Sequence, residues 1–280
     1  MSTPTTPADL LRHLVAADPG RPRITVYDDT DSPTRGERVE LSARVLANWV
    51  AKAANLLQDD LDVGPGSTVR IDLPPHWRTL YWALAAWSVG ACVEVPAGRT
   101  GAGVDGRGAV GVAPAGGVLA AGGGSDAVPS PRASSGADVV VTDAVDAAAV
   151  ADEAVLVTLA ALARAAAVPV PAGVVDEARE LATHGDVFEA WAEPGPADAA
   201  LRVVGGGAGK DEASFAGLVP GGPASVGSER VHTSTPDTVA FLRLALQVWA
   251  GSGSLVLTRG EPAAEVLASR LEAEGVTRAV

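Results

Sequence analysis

The feature that most constrains the fold is a regular alternation of helix-like and strand-like segments in the first hundred residues. From residue 42 to 58 the apolar side chains fall on one helical face, and a glycine-proline-glycine turn follows at 64–66. Residues 68–73 then alternate apolar and polar side chains, as a half-buried strand does. A second helix-like segment at 76–89 carries bulky apolar groups, and 91–95 is short and β-prone. This alternation predicts an α/β fold of layered sheets with flanking helices.

The glycines and prolines between these segments carry a family resemblance. The residues concerned are Val63-Gly-Pro-Gly66, Val69, Pro74, Gly90-Ala91 and Pro96. Their order and spacing resemble the N-terminal part of the AMP-forming adenylating enzymes, the superfamily of acyl-CoA synthetases and peptide-synthetase adenylation domains. Ser67 stands where that family has Asp. The resemblance implies the fold of the N-terminal subdomain of acyl-adenylating enzymes, and the alternative is an unrelated βαβ segment with the same turns.

The rest of the chain continues the alternation of helices and strands. Thr235 is expected to cap a helix that begins at Pro236, and Phe188 and Trp191 are expected to pack against other elements. The sequence predicts helices over 7–17, 144–151, a segment ending at 167, 174–184, 236–250 and 262–271, and strands over 23–27, 38–41, 137–143, 155–157, 200–204, 254–258 and 275–277.

Residues 98–136 differ in kind from the rest of the chain. They are dense in Gly, Ala, Ser and Pro, and such a stretch buries too little surface to offset the entropy of ordering it. We therefore predict an N-terminal adenylating-enzyme-like α/β segment at 1–97, a flexible Gly/Ala-rich insertion at 98–136, and a continuation of the same domain at 137–280. Gly101-Ala-Gly103-Val-Asp-Gly106 matches a dinucleotide-binding pattern, but more glycine follows where that site needs a helix.

Composition narrows the classes of partner and the location. The net charge of −13 argues against nucleic acid and against anionic membrane surfaces. The N-terminus lacks a secretory signal, and no apolar run reaches the length of a membrane span. Cys92 is the single cysteine, which we expect to be a buried, inert thiol. We predict a cytoplasmic protein whose partner is an unidentified small molecule or protein.

The candidate functional site is the glycine-rich stretch that follows the strand predicted at 200–204. At this point the adenylating family carries Thr-Ser-Gly-Thr-Thr-Gly-x-Pro-Lys-Gly, whose hydroxyls, backbone amides and lysine hold the ATP phosphates. The resemblance implies that the residual phosphate-loop positions of this chain are Gly205, Gly206, Gly207, Gly209 and Lys210. Every Thr and Ser of the family loop is missing here, as is the proline spacer, and Asp211 and Glu212 follow directly.

These changes disfavour ATP and magnesium as cofactors, so the cofactor is unknown. Glycine amides can cradle an anion, but the adjacent carboxylates oppose one. The loss of one preorganised donor costs about 2.7–4 kcal/mol in comparable sites, and several losses together predict that turnover is lost. The stretch is not a Walker A loop either, because Asp211 replaces the hydroxyl that holds magnesium. A solvated glycine loop with a surface lysine is the simpler interpretation.

Other groupings of reactive residues are weaker. His232, Ser234 and Asp237 include the residue types of a hydrolytic triad, but helix capping explains Ser234 to Asp237 better. His13, His76 and His184 stand singly, without the spacing of metal ligands. The sequence assigns no catalytic residue and no metal site.

Three functions remain open from the sequence. The first is a non-catalytic relative, or pseudoenzyme, that binds a ligand or a partner. Because the chain ends before the family's later motifs and C-terminal domain, we expect this relative to be truncated. The second is an ATP-dependent carboxylic-acid-activating ligase completed by another chain, supported by the N-terminal core and Lys210. The third is an acidic scaffold or interaction module. Of these, the sequence favours the first.

Overall fold

The computed structural model describes residues 4–98, 136–205, 212–220 and 228–280. Within these ranges two β-sheets enclose a layer of helices. The helices are α1 (Pro7–Ala17), α2 (Ala43–Asn55), α3 (Trp77–Ser88), α4 (Val145–Val150), α5 (Glu177–Glu180), α6 (Phe215–Leu218), α7 (Thr238–Ala250) and α8 (Ala264–Ala273), with a π-helical turn at Leu56–Asp60 and a 3₁₀ turn at Leu181–Thr183. The strands are β1 (Pro22–Asp28), β2 (Arg38–Ser42), β3 (Thr68–Asp72), β4 (Cys92–Pro96), β5 (Val139–Thr142), β6 (Ala154–Leu156), β7 (Val174–Asp176), β8 (Ala199–Val204), β9 (Glu212–Ser214), β10 (Arg230–Thr233), β11 (Ser254–Arg259) and β12 (Arg278–Ala279).

Both sheets are mainly parallel. The five-stranded sheet has the order β12-β10-β11-β1-β2, and the seven-stranded sheet has the order β7-β6-β5-β3-β4-β8-β9. Only the β1–β2 and β8–β9 pairs of the described strands are antiparallel. After β4 the chain returns past β3 to form β5, so the strand order reverses at β3. The prediction of an α/β fold with layered sheets is confirmed.

Helix α3 is the centre of the core. Every residue from Trp77 to Trp87 is buried, because α3 contacts β3 and β4 of one sheet and β1 of the other. A helix that is apolar on nearly all sides is stable only in such a position, and the one charged side chain of α3, Arg78, has a buried acidic partner. α1 and α2 pack against α3, and one continuous apolar cluster joins residues of both sheets. A smaller cluster around α4 covers the opposite face of the seven-stranded sheet, near β5 and β6.

The turn at residues 64–66 and the turn that ends α3 are in contact. Gly90 ends α3 with φ +85°, and a Cβ atom there would lie 2.8 Å from Pro65 Cγ and 3.4 Å from Pro65 Cα. The backbone at Gly90 therefore requires glycine both for its dihedral angle and for the close approach of the proline turn. The turn at 64–66 and the end of α3 are thus a single packing unit.

Most of the predicted elements are confirmed, including all those between residues 7 and 96, but four predictions are wrong. The last strand begins at Arg278 and not at Gly275, because Gly275, with φ +61°, lies in the turn that ends α8. The helix predicted to end at residue 167 is absent, because 157–167 forms bends and turns. Val174–Asp176 is a strand paired with β6, so only the second part of the predicted 174–184 helix is helical. Asp237 caps α7 instead of Thr235, and the helix begins at Thr238.

The predicted division of the chain is only partly visible. Residues 1–97 and 137–280 both contribute strands to both sheets. The predicted insertion at 98–136, including the glycine pattern from Gly101, lies outside the described residues except at its two end positions, so it stays a prediction. Among the described residues, no helix combines the length and apolar character that a bilayer crossing requires.

Candidate functional site

The carboxyl ends of the parallel strands in both sheets meet on one side of the molecule. Thr238 Oγ1, at the start of α7, donates to Leu73 O just after β3 at 2.9 Å. The end of β11 likewise faces the end of β3, where Arg259 acts electrostatically on His76. In parallel α/β sheets, ligands bind outside the carboxyl ends of the strands where the strand order reverses. The fold therefore places the candidate site here.

The predicted phosphate-loop residues follow one of these strand ends. Gly205 comes directly after β8, is exposed, and adopts φ +81°. Its neighbour Val204 pairs with Pro96 of β4. Gly206, Gly207, Gly209 and Lys210 lie outside the described residues, so their assignment stays a prediction. Glu212, which resumes the described chain, lies 3.3 Å from Arg202 Nη2, so this acid already has a cationic partner.

Charged and polar side chains fill the space between the strand ends. We call Asp28, Thr34, His76, Asp143 and Arg259 the carboxyl-end cluster. Asp28 is 3% exposed; its carboxylate accepts hydrogen bonds from Thr34 Oγ1 and Arg259 Nη1. Burial lowers the pKa of Arg259, while the charges of Asp28 and Asp143 raise it. The charges of this cluster thus compensate one another.

His76 is a neutral imidazole in this cluster. It is 2% exposed and caps α3, with Nδ1 accepting from the backbone N of Arg78 at 3.3 Å. Burial and the guanidinium groups of Arg259 and Arg78 hold the pKa of His76 well below 6.5. At neutral pH this side chain is a hydrogen-bonding and packing group, and it carries no positive charge for a phosphate.

A buried ion pair that the sequence did not suggest lies behind the cluster. Arg78 Nη1 contacts Glu177 Oε1 at 2.6 Å, and Arg78 Nη2 donates to Ala160 O at 2.8 Å. Tyr81 donates its hydroxyl to the same Glu177 oxygen. Burial raises the pKa of Glu177, with Arg78 opposing that effect. No local pattern reveals this pair, because 99 positions separate the two charged residues.

The residues with triad chemistry do not form a triad. His232 lies on β10, where Nε2 is 3.1 Å from Thr258 Oγ1. The Asp237 carboxylate accepts from Ala240 N at 2.8 Å and caps α7. The capping interpretation of this stretch is therefore confirmed, with Asp237 as the capping residue. Across the described ranges, no group of three or more His, Cys, Asp or Glu residues is placed to hold a metal ion.

Cys92 is a buried, free thiol in β4, as expected. Burial raises its pKa to about 11, with Glu94 and Glu212 adding to the effect and Arg202 opposing it. A thiol with this pKa is protonated at neutral pH and is a poor nucleophile.

Solved structures of adenylate-forming enzymes share this fold. An acyl-CoA synthetase of Brucella canis matches with a TM-score of 0.67 and 17% identity over 98% of this chain and 46% of its own. Acetoacetyl-CoA synthetase from Streptomyces lividans matches with a TM-score of 0.66 and 16% identity over 98% of this chain and 42% of its own. The N-terminal subdomain of Klebsiella oxytoca NpsA gives a TM-score of 0.56 and 16% identity over 99% of this chain and 61% of its own. The chain thus has the fold of the N-terminal part of the AMP-forming adenylating enzymes, and it spans about half the length of these proteins.

A relative that is similar in sequence shows the family of the chain. No protein-family model matches the chain. A Mycobacterium tuberculosis protein named "TIGR03089 family protein" is 37% identical over 206 residues, which cover 72% of this chain and 70% of that protein. The chain belongs to this family.

Proposed function

We propose that this chain is a non-catalytic member of the adenylate-forming fold class, a pseudoenzyme that keeps the N-terminal scaffold and binds a small molecule or a partner protein. The observation that carries the proposal is the composition of residues 205–212. They hold no hydroxyl side chain, no proline, and two successive acids, Asp211 and Glu212, after the single lysine. Phosphoryl and nucleotidyl transfer depends on positioned donors and positive charge, and this stretch supplies few of either.

The carboxyl-end cluster supports the same conclusion. Arg259 is the one arginine of this cluster, and it donates a hydrogen bond to the Asp28 carboxylate. His76 is neutral, so it adds no charge that would attract a triphosphate. The cluster holds two acidic side chains, Asp28 and Asp143, against one arginine, Arg259, so it offers no surplus positive charge to an anionic nucleotide.

The proposal is tested by ATP–pyrophosphate exchange with a panel of carboxylic acids and by calorimetric titration with ATP and magnesium. The parent chain, Lys210→Ala and Lys52→Ala are compared, because these two residues are the only lysines of the chain. Lys52 is the control because its ammonium group already has a partner, Asp186, at 2.8 Å, and it lies outside the loop at 205–212. We expect no exchange and no ATP-dependent heat from any of the three. Exchange by the parent chain that Lys210→Ala removes and Lys52→Ala keeps would overturn the proposal.

One observation favours a second candidate, an ATP-dependent carboxylic-acid ligase completed by another chain. Gly205 keeps a positive φ directly after β8, which is the kind of backbone from which a phosphate-binding turn can start. This candidate predicts exchange activity only when the chain is isolated together with its partner from its native source. If such a complex is inactive, or if its activity survives Lys210→Ala, this candidate is wrong.

We also propose that the protein acts in the cytoplasm. The single, buried thiol of Cys92 supports this location, since proteins of oxidising compartments tend to carry paired cysteines. Fractionation of cells that express the full protein tests the location, and recovery with the membrane or secreted fraction would contradict it.

A further inference from the structure

A large groove lies beside the seven-stranded sheet, at the ends of the strands opposite to the carboxyl-end cluster. Its volume is about 1130 Å³, and its walls come from α1 and α2 on one side and from residues 186–196 on the other. Trp87 and Phe215, both buried, form part of its floor. Trp87 Nε1 donates to Ala200 O, at the start of β8, at 2.7 Å. The groove is therefore at the amino ends of the strands, and we call it the amino-end groove.

The wall formed by residues 186–191 is anchored by side chains of α2 and the following π-helical turn. Asn55 Nδ2 donates to Gly185 O at 3.1 Å and to Val187 O at 3.0 Å. Gln58 donates to Glu189 O at 3.2 Å and accepts from the backbone N of Trp191 at 3.0 Å. Several backbone groups of the wall are thus hydrogen-bonded by side chains instead of by a neighbouring strand. A preformed wall lowers the cost of binding a partner.

Large apolar side chains are exposed on this wall. Val187 lines the groove and is 85% exposed, and Trp191, which lies in the chain between the lining residues Ala190 and Glu193, is 69% exposed. The expectation that Trp191 packs against another element is therefore wrong, while Phe188 is partly buried against the core. An exposed tryptophan next to an apolar groove is typical of binding surfaces, where such residues contribute most of the affinity.

The rim of the groove is acidic. Four acidic side chains line it, against one arginine, Arg12, which pairs with Asp9 at 2.6 Å. Asp186 is paired with Lys52. The other two acids, Glu189 and Glu193, are exposed, and no salt bridge among the described residues engages either of them. The charge of the rim, added to the net charge of −13, selects for a basic occupant.

We propose that the amino-end groove binds an amphipathic, basic helix of a partner protein. The apolar face of that helix would lie on the groove floor and against Val187 and Trp191, and its lysines or arginines would face Glu189 and Glu193. The groove exceeds the roughly 300–1,000 Å³ typical of drug-sized ligands, and an open groove with an apolar floor suits a helix of about 10–12 Å diameter. The proposal does not depend on the loss of catalysis, because the groove and the candidate nucleotide site lie at opposite edges of the sheet.

The test uses a fluorescently labelled model peptide of leucine and lysine that forms an amphipathic helix of about five turns, or ~18 residues. Binding to the full chain is followed by fluorescence anisotropy. A peptide of the same composition in scrambled order and a leucine-glutamate helix serve as peptide controls. We expect the leucine-lysine helix to bind with a dissociation constant in the micromolar range, and both controls to bind at least ~10-fold more weakly.

Variants of the groove locate the binding. Val187→Asp and Trp191→Ala are expected to weaken binding at least ~10-fold, while Leu162→Asp, at a side chain that is 93% exposed outside the groove, leaves it unchanged. The double variant Glu189→Gln/Glu193→Gln is expected to reduce the salt dependence of binding. Asp152→Asn/Glu153→Gln, at two exposed positions elsewhere, is its matched control, because it removes the same number of negative charges. Circular dichroism confirms that each variant remains folded.

Four results would overturn the proposal. They are equal binding of the scrambled peptide, binding unaffected by Val187→Asp and Trp191→Ala, absence of binding by a folded chain, and self-association of the chain through the groove. The last is measured by sedimentation velocity: a dimer that Val187→Asp dissociates and Leu162→Asp does not would mean that a second copy of this chain is the occupant.

Discussion

Arg78 and Glu177 illustrate how much of the stability of this protein depends on single contacts between distant residues. Both side chains are almost fully buried, with 3% and 0% of the side-chain surface exposed, and they meet at 2.6 Å. Arg78 also stacks on the Trp77 ring, with its guanidinium carbon 4.4 Å from the ring centroid. A buried pair need not stabilise more than apolar residues would, but the loss of one partner leaves the other charge without compensation.

Glu177→Gln is therefore expected to destabilise the protein by about 3–5 kcal/mol. Urea unfolding followed by circular dichroism measures the free energy of unfolding. Glu180→Gln, at an exposed position of the same short helix, is the control and should change stability by less than ~0.5 kcal/mol. Equal stability of Glu177→Gln and the parent chain would mean that the buried pair contributes nothing.

Gly90 gives a second prediction at this scale. Gly90→Ala places a Cβ 2.8 Å from Pro65 Cγ at φ +85°, whereas Gly66→Ala adopts a similar φ of +94° with no atom within 4 Å of the new Cβ. Both substitutions incur the left-handed backbone penalty of about 1–2 kcal/mol, and only Gly90→Ala adds a clash. We expect Gly90→Ala to lower the free energy of unfolding by more than Gly66→Ala does. Equal losses would show that the proline turn moves aside freely.

Glu274 makes stability depend on pH. Burial alone would raise its pKa, but hydrogen bonds from Tyr27, Arg230 and Arg38 outweigh burial and lower the pKa from 4.5 to about 2. The folded-state pKa lies below the unfolded one, so the stabilisation is complete above pH 4.5 and is lost as the pH falls towards 2. The contribution at pH 7 is on the order of 2 kcal/mol after allowance for solvent screening.

Urea unfolding of the parent chain and of Glu274→Gln at several pH values checks this prediction. The difference in the free energy of unfolding between the two proteins should be largest near pH 7 and should shrink below pH 4. Glu272→Gln, at an exposed position two residues earlier, is the control. A difference that does not change with pH would contradict the role given to the carboxylate.

At the scale of elements, the segment from residue 157 to 167 shows tertiary contacts overriding local preference. Its alanine-rich sequence favours a helix, yet distant side chains hold its backbone groups in a loop. Arg78 Nη2 donates to Ala160 O, Glu37 Oε2 accepts from Ala161 N at 3.2 Å, and the Asp176 carboxylate accepts from Ala166 N at 3.0 Å. None of these partners is a sequence neighbour, so a local pattern cannot reveal the loop.

Asp176→Ala should free the backbone N–H of Ala166 and increase its hydrogen-exchange rate. We expect faster exchange confined to the loop around Ala166, because one of its anchors is removed while those at Ala160 and Ala161 remain. Mass spectrometry of peptides covering residues 158–168 measures the rate, and Asp152→Ala, at an exposed position, is the control. Exchange that stays unchanged would show that Asp176 does not hold the loop.

At the scale of the whole molecule, the two halves of the chain are interleaved. In the five-stranded sheet β1 pairs with β11, and in the seven-stranded sheet β4 pairs with β8, so each half supplies partners for the other. The core around α3 likewise includes apolar residues from both halves. Neither half encloses that core by its own strands.

A fragment of residues 1–97 is therefore expected not to fold alone. Without β11, β5 and β8, both sheets lose strands that pair with the N-terminal segment, and α3 loses part of its cover. Thermal and urea unfolding followed by circular dichroism should show no cooperative transition for this fragment, with the full chain as the reference. A cooperative transition in the fragment would mean that residues 1–97 form an independent domain, contrary to the predicted division of the chain.

The sequence by itself determined the elements that local pattern controls. The periodicity of residues 42–96, the glycine and proline turns, and the resemblance they carry were sufficient for the layered α/β fold, because side-chain period and turn chemistry act over a few residues. The sequence also showed that residues 205–212 lack hydroxyl side chains, because this property depends on composition alone.

Only the tertiary structure decided which distant groups meet. It paired Arg78 with Glu177, made Val174–Asp176 a strand, kept residues 157–167 out of a helix, and joined α1, α2 and residues 186–196 into the amino-end groove. Each of these features depends on contacts between residues that are far apart in the chain. Such contacts are selected by the packing of the whole molecule, and no window of neighbouring residues contains them.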